Sequence, residues 1–354
     1  MSGLSKARVA VAGGGALGSC IAFRLAQAGA QVTLLEPSDP QASASGVAAG
    51  MLAPAMECVL DPESGVGFDL LRRARDLWPA LAAELGADIG LVRAGSAWLD
   101  VRGVAPRAAS VAASLRAVGA AIAEPQVQLS GASEAVFTPE DWRLAPALAL
   151  AALERGFIGL GGRRLALALE SFEAGRARLS NGEALGVDLV VLATGAAPAV
   201  VAPELAALVP IKGQILKYPS LTHWRDLPAL RCAGGYAVGG ADGLCVGATM
   251  EVGVADRRLD PEAMARLAEL AARLEPATRD LTPVGQAAVR AAFPHRPPLI
   301  GPSARPGVLL AAGARRNGWL LAPLAAEIIA AYAAGRDPGS WAAPFAARAP
   351  AVVL

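Results

Sequence analysis

Arg8-Val9-Ala10-Val11-Ala12-Gly13-Gly14-Gly15-Ala16-Leu17-Gly18 opens the segment that decides the fold, and the segment runs on to Glu36. Arg8 to Ala12 reads as a buried strand, and Gly13 to Gly18 spells G-x-G-x-x-G. Ser19 to Ala28 reads as a helix, with apolar positions at Cys20, Ile21, Phe23, Leu25 and Ala28, and Gly29 stops it. Gln31 to Leu35 is a second strand that ends at Glu36. Strand, glycine turn, helix and strand in this order bind dinucleotides. Gly13 permits the tight turn, Gly15 lets the backbone approach a pyrophosphate, and Gly18 lets the helix pack close to the strand. Ala16 and Leu17 open the helix, where free amides and the positive dipole end favour phosphate. Glu36, followed by Pro37, stands near the position of a carboxylate that accepts from a ribose 2'-hydroxyl. A carboxylate there repels a 2'-phosphate, so the expected cofactor is NAD or FAD rather than NADP.

Outward from this unit, 354 residues suggest two domains or one large discontinuous one. A net charge of +1 points to no nucleic acid. The mean hydropathy of +0.42 raises the question of a membrane. The best apolar stretch, Leu185 to Ala202, is broken by Gly186, Asp188 and Gly195, so no integral membrane segment is expected. Lys6 and Arg8 precede an apolar run as in a secretory signal, yet the glycine turn, Arg24 and Gln27 fit strand–turn–helix better. Cys20, Cys58, Cys232 and Cys245 form no C-x-x-C pair, which argues against a zinc site or a disulfide framework. A cytoplasmic protein is the simple expectation.

Further along, Phe68 to Leu85 has the spacing of one amphipathic helix, and Arg107–Val118 and Ala145–Arg155 read as two more. Asp141-Trp142-Arg143 reads as the turn before the second of these. Ser96–Val101, Arg164–Ala168 and Arg176–Leu179 read as strands, with Asn181-Gly182 as a hairpin turn. Val187–Ala193 is a continuous apolar strand of the kind buried in a parallel sheet, leading to Gly195. Residues 211–218 and 236–249 read as long strands and Pro261–Leu274 as a helix. Gly307–Ala312 is a last buried strand before Gly313-Ala314-Arg315-Arg316-Asn317-Gly318 and a helix from about Leu321 to Ala333. The pattern predicts an α/β fold: a discontinuous Rossmann-like domain from residues 1–85, 138–205 and 286–354. A smaller, β-rich substrate domain would come from 86–137 and 206–285.

Five blocks carry a family resemblance. They are Gly13–Gly18 with Glu36; Ala42-Ser43-Ala44-Ser45-Gly46-Val47-Ala48-Ala49-Gly50-Met51-Leu52-Ala53; Tyr236 with Gly247–Met250; Arg290 with Pro298–Gly301; and Gly313 to Pro323. They resemble the flavin-dependent D-amino-acid oxidase superfamily, and within it the glycine oxidase (ThiO-type) group. The resemblance implies that FAD runs from the first βα turn past Glu36, Pro37, Ala44, Ser45, Ala49, Gly50 and Met51 to the turn formed by Gly313, Ala314, Arg315, Arg316, Asn317, Gly318, Trp319 and Leu320, with Gly195 beside it. It implies a mostly antiparallel second domain over the flavin ring, a substrate carboxylate held by Arg290 and Arg316, and Tyr236 and Met250 in the pocket wall. Two departures stand out. Ala314 replaces a His and Arg315 an aromatic, and Ala288-Val289-Arg290-Ala291 replaces Gly-Leu-Arg-Pro.

The chemistry agrees with this reading. Arginine suits a substrate carboxylate because its planar fork donates two parallel hydrogen bonds and stays charged. The flavin carries the redox step, so no catalytic side chain is assigned. His223, beside Trp224, reads as structural, and His295 lies near the expected pocket. The expected activity is oxidation of glycine or another small amino acid to the imine and 2-oxo acid. Oxygen would be reduced to hydrogen peroxide, and the resemblance implies that the imine serves the thiazole of thiamine. Other flavin amine oxidases, of the sarcosine, D-amino acid or D-proline type, and an NAD-dependent dehydrogenase are the alternatives. Whether the protein forms a homo-oligomer is left open.

Overall fold

The computed structural model describes residues 4–62, 65–101, 105–125, 132–197 and 201–346. It begins with β1 (Arg8–Ala12), buried at four of five positions because strands flank it on both sides. α1 (Ala16–Gln27) starts directly at the glycine turn, and β2 (Gln31–Leu35) pairs in parallel with β1. Gly13 has φ +104°, and a Cβ there would overlap the Ala193 carbonyl; a Cβ at Gly18 would overlap the carbonyl of Gly13. Both glycines are therefore required by the chain's own packing.

The small-residue block forms α2 (Ala44–Val47), whose first amides donate to the Ser43 hydroxyl, then β3 (Met51–Leu52) and α3 (Pro54–Leu60). The single helix expected over Phe68–Leu85 is two, α4 (Phe68–Asp76) and α5 (Trp78–Leu85). Pro79 sits in the first turn of α5, where it lacks the N–H and clashes with the preceding turn, so one helix cannot run through. β4 (Ser96–Val101), α6 (Ala108–Ala117), β5 (Ala132–Thr138), β6 (Trp142–Arg143) and α7 (Pro146–Gly159) follow. Asp141-Trp142-Arg143 is more than a turn: β6 pairs with β3, and Asp141 and Arg143 are buried.

Next come β7 (Arg163–Leu165), β8 (Leu169–Glu173), β9 (Arg176–Leu179), β10 (Ala184–Gly186) and β11 (Leu189–Leu192). Asn181-Gly182 turns between β9 and β10, with Gly182 at φ +86°. β12 (Val209–Tyr218) and β13 (Ala229–Cys232) precede β14 (Gly235–Gly240) and β15 (Gly243–Gly247). The long strand expected over 236–249 is this β14–β15 hairpin, reversed at Ala241-Asp242 with Gly243 at φ +97°. β16 (Glu251–Val252), α8 (Pro261–Leu274), β17 (Val284–Ala292), β18 (Leu299–Pro302), β19 (Val308–Ala312) and α9 (Gly318–Ala333) complete the order.

Two main sheets result. The first has six strands in the order β18-β19-β11-β1-β2-β7, parallel except for β18. α1, α7 and α9 bury one face, and the β8–β10 sheet covers the other. The second has eight strands and is antiparallel except where β4 meets β13. α8 packs on one face of it through Leu267, Leu270, Ala271 and Leu274. One expectation needs correcting here. Arg290 was expected in the segment beginning at residue 286, with the dinucleotide-binding part. β17 instead pairs with β12 from Val284 to Ala292, so the eight-stranded sheet delivers Arg290.

Candidate active site

Strand periodicity builds one wall of a cleft. Register sets Ile215 opposite Gly247, Gly247 opposite Tyr236, and Tyr236 opposite Arg231. On the other edge of β12, Gly213 faces Ala288 and Ile211 faces Arg290. Directly opposed residues share a face, and so do alternate residues along one strand. One face therefore carries Arg231, Tyr236, Ile215, Gly213, Ala288 and Arg290. Opposite it stand α2, the start of α9 and Glu57 of α3. Between them lies a cleft. Of the expected residues, Ala44, Ser45, Ala49, Gly50, Met51, Tyr236, Arg290, Arg315, Arg316, Asn317, Gly318 and Trp319 line it.

The arginines are not equivalent. Arg290 Nη2 donates to the Thr249 carbonyl at 2.8 Å, and its guanidinium lies against Gly213. Burial lowers its pKa, and the cations of Arg316 and Arg315 push the same way. Arg316 Nη2 lies 2.9 Å from the carboxylate of Glu57. Glu57 is buried, and its Oε1 also accepts from Arg231 Nη1 at 2.7 Å. Burial alone would raise the Glu57 carboxyl, but Arg316 and Arg231 hold it down at about 2. Glu57 in turn raises the pKa of Arg316. Arg315, at φ +52°, places Nε 3.0 Å from Asp61 Oδ2. Glu57 and Asp61 are four residues apart, so one side of α3 and its C-cap meets both arginines of the turn. Behind Arg231, burial pushes the Asp141 carboxyl up to about 6, against the pull of Arg231. Burial also raises the phenol of Tyr236.

A second set of residues leads away from the cleft. Glu36 accepts from the amides of Gly14 at 2.7 Å and Ser38 at 3.0 Å. Gly15 is the N-cap of α1 and makes no side-chain cap. The amide of Ala16 donates to Ser45 Oγ at 2.9 Å, and the Ser45 carbonyl accepts from Trp319 Nε1 at 3.0 Å. Ser45 thus joins the first βα turn, the small-residue block and α9. Asn317 leaves the start of α9 uncapped as well, and a Cβ at Gly318 would meet only open space. Neither helix start has a side-chain cap from its own N-cap residue, which suits an anionic group at each. A phosphate fits the Gly15–Gly18 end, with Leu17 half-buried beside it, and a ring system fits the cleft.

Several expected residues are elsewhere. Met250 is 37% exposed and off the cleft wall, because the chain turns outward after Thr249 into β16. Pro37 is exposed beyond Glu36, and Gly195 (φ +61°) follows β11 without lining the cleft. Gly313 packs on Phe293, Ala314 bridges to Ala292, and Leu320 is in the core, so these three support the wall from behind. His295 is exposed outside the cleft, and His223 lies 3.6 Å from Glu275. Among the described residues no cluster of His, Cys, Asp and Glu could hold a metal, and no helix is long and apolar enough to cross a membrane. Sequence reasoning missed Glu57, Arg231 and Gly213. The one available signal was Arg231 itself, a charge inside the apolar run Ala229-Leu230-Arg231-Cys232.

A family model described as "DAO: FAD dependent oxidoreductase" matches residues 8–332. The glycine oxidase of Pseudomonas aeruginosa is 31% identical over 377 residues, covering 96% of this chain and 98% of its own. The bifunctional protein MnmC of tRNA 5-methylaminomethyl-2-thiouridine biosynthesis, from Caulobacter sp., is 32% identical over 350 residues. That match covers 92% of this chain but 54% of MnmC. Among solved structures, glycine oxidase from Geobacillus kaustophilus superposes with a TM-score of 0.79 at 26% identity, over 96% of this chain and 98% of that one.

Proposed function

Since the chain belongs to the DAO family of FAD-dependent oxidoreductases, we propose that its cleft oxidises glycine or another small amino acid to the imine, with oxygen reduced to hydrogen peroxide. One observation carries this reading. Arg290 is a half-buried guanidinium on the cleft wall that makes no ion pair among the described residues and donates instead to the Thr249 carbonyl. A cation partly withdrawn from water and lacking a counter-charge is suited to an incoming anion. A carboxylate would complete it through two parallel hydrogen bonds.

FAD, when bound, accepts the hydride equivalent from the substrate Cα. What the chain supplies is position. Arg290 fixes the carboxylate, and Tyr236, across the sheet on the same face, offers a hydroxyl to the same cleft. Neither buried acid nearby suits the role of a base. Glu57 stays ionised because two guanidiniums hold it near 2, and Asp141 does not line the cleft. The amine would therefore react in its neutral form, and water would release glyoxylate and ammonia from the glycine imine. The resemblance read from the sequence points to thiazole formation for thiamine as the use of that imine. The glycine oxidase relative supports glycine as substrate.

Oxygen uptake and peroxide release with glycine, sarcosine, D-alanine and D-proline test the proposal. Glycine or sarcosine is expected to turn over fastest. No flavin bleaching and no peroxide with any of the four would overturn the reading.

A further inference from the structure

We propose that Glu57 and Arg231 are positioning residues that set the charge of the carboxylate site. Arg231 supplies the second cation that keeps Glu57 docked on Arg316, so that Arg290 is the guanidinium left to receive the substrate. This inference rests on the reading of the cleft as a carboxylate site.

Three observations carry it. First, Glu57 joins three elements distant in sequence: α3, strand β13 through Arg231, and the turn before α9 through Arg316. Second, the Glu57 and Arg231 side chains are only 5% and 3% exposed, so their charges act in a poorly screened setting. Third, apart from its bond to Glu57, Arg231 is poorly satisfied. Its Nε has no hydrogen-bond partner, and its Nη2 meets only the Met51 thioether, at 3.3 Å. A thioether is a weak acceptor. Packing alone would be served as well by an apolar side chain of similar volume. The remaining account is electrostatic. One carboxylate shared by two guanidiniums carries one more positive charge than a simple Glu57–Arg316 pair would.

The consequence is an ordering that a structural role does not share. Relative to the parent, Glu57→Gln adds one positive charge, Arg231→Met removes one, and the double variant restores the sum. Each holoenzyme is titrated with acetate, a carboxylate without an amine, and binding is read from the flavin absorbance. Flavin content and the thermal midpoint are recorded alongside. E57Q is expected to bind acetate about tenfold more tightly and R231M about tenfold more weakly, the scale of one unit charge at short range in a partly polar interior. The double variant is expected within about threefold of the parent. In E57Q, kcat is expected to fall although acetate binds better, because Arg316 loses its anchor. If E57Q does not fold, the comparison of R231M with the double variant decides alone, and the double variant must bind acetate more tightly. Acetate affinities that fall in step with the thermal midpoint, lowest in the double variant, would overturn the proposal. No acetate binding by the parent would refute the carboxylate site and this proposal with it. Binding by the parent without the ordering would refute this proposal only.

Discussion

Gly213→Ala separates stability from function at one methyl group. Gly213 lies in β12 opposite Ala288, with a backbone that alanine can adopt, since its φ is not in the left-handed region. A strand interior slightly prefers alanine, by roughly 0.5–1 kcal/mol. The added Cβ, however, would stand 2.8 Å from Arg290 Cζ and overlap its Nη2. Carbon atoms sit comfortably at about 3.5–4.0 Å, so the guanidinium must retreat by about 1 Å. The group that moves is the free end of a long side chain, so the fold yields cheaply. The 2.8 Å hydrogen bond from Arg290 to Thr249 does not survive such a shift with good geometry. A 1 Å displacement of a positioning group costs on the order of 10²-fold in rate. Losing the carboxylate contact altogether costs about 2–5 kcal/mol. The expected result is a thermal midpoint within about 2 °C of the parent and a kcat/KM for glycine about 10²-fold lower, carried mainly by KM. Steady-state peroxide release and differential scanning fluorimetry on one preparation measure both. An unchanged KM would refute the placement of Arg290 as the carboxylate clamp. A large fall in midpoint would refute the argument that the strain is confined to the guanidinium.

Three further outcomes follow from the same geometry. Asp141 has its carboxyl raised from near 4 to about 6 by burial. Its protonated form is therefore favoured in the folded state, and the associated stability is present below about pH 4 and lost as pH rises through about 6. Asp141→Asn keeps the Oδ1 acceptor for the Ala55 amide and should recover roughly 3 kcal/mol at pH 8 relative to pH 4, seen as a flatter dependence of urea midpoint on pH; an unchanged profile would remove Asp141 as its source. Glu36→Ala removes the acceptor of the Gly14 amide and the expected ribose partner, and should weaken FAD retention on gel filtration about tenfold or more, while full retention would remove Glu36 from the cofactor site. Burial raises the thiols of Cys20, Cys232 (to about 11) and Cys245 (to about 12), so iodoacetamide at pH 8 should leave all three unlabelled in the native protein, and rapid labelling of any one would contradict its burial.

The legible and illegible parts of this protein differ in the range of the interactions that make them. Residues 8–36 declared strand, turn, helix and strand because each choice is local: a run of β-formers, three glycines, a 3.6-residue period, a stop at Gly29. The structure keeps that order, and packing clashes explain two of the three glycines. The errors arose where a local pattern was read without its interruptions. Phe68–Leu85 has one helical period, but Pro79 divides it; residues 236–249 have one alternation, but Gly243 folds it back. Met250 was placed in the pocket on resemblance alone, and the outward turn at Thr249 carries it to the surface. The residues missed altogether are those whose meaning is wholly tertiary. Glu57, in a short helix after a small-residue block, is indistinguishable in sequence from a solvated acid. Only when β13 brings Arg231 beneath it and the Arg315-Arg316 turn arrives from 259 residues away does it become a buried carboxylate between two cations. Gly213 reads as a weak spot in a strand until Arg290 crosses it from the neighbouring strand. A lone charge within an apolar strand, as at Arg231, is the local trace such networks leave. A buried guanidinium needs a partner, and the search for one leads from Arg231 to Glu57 and on to Arg316.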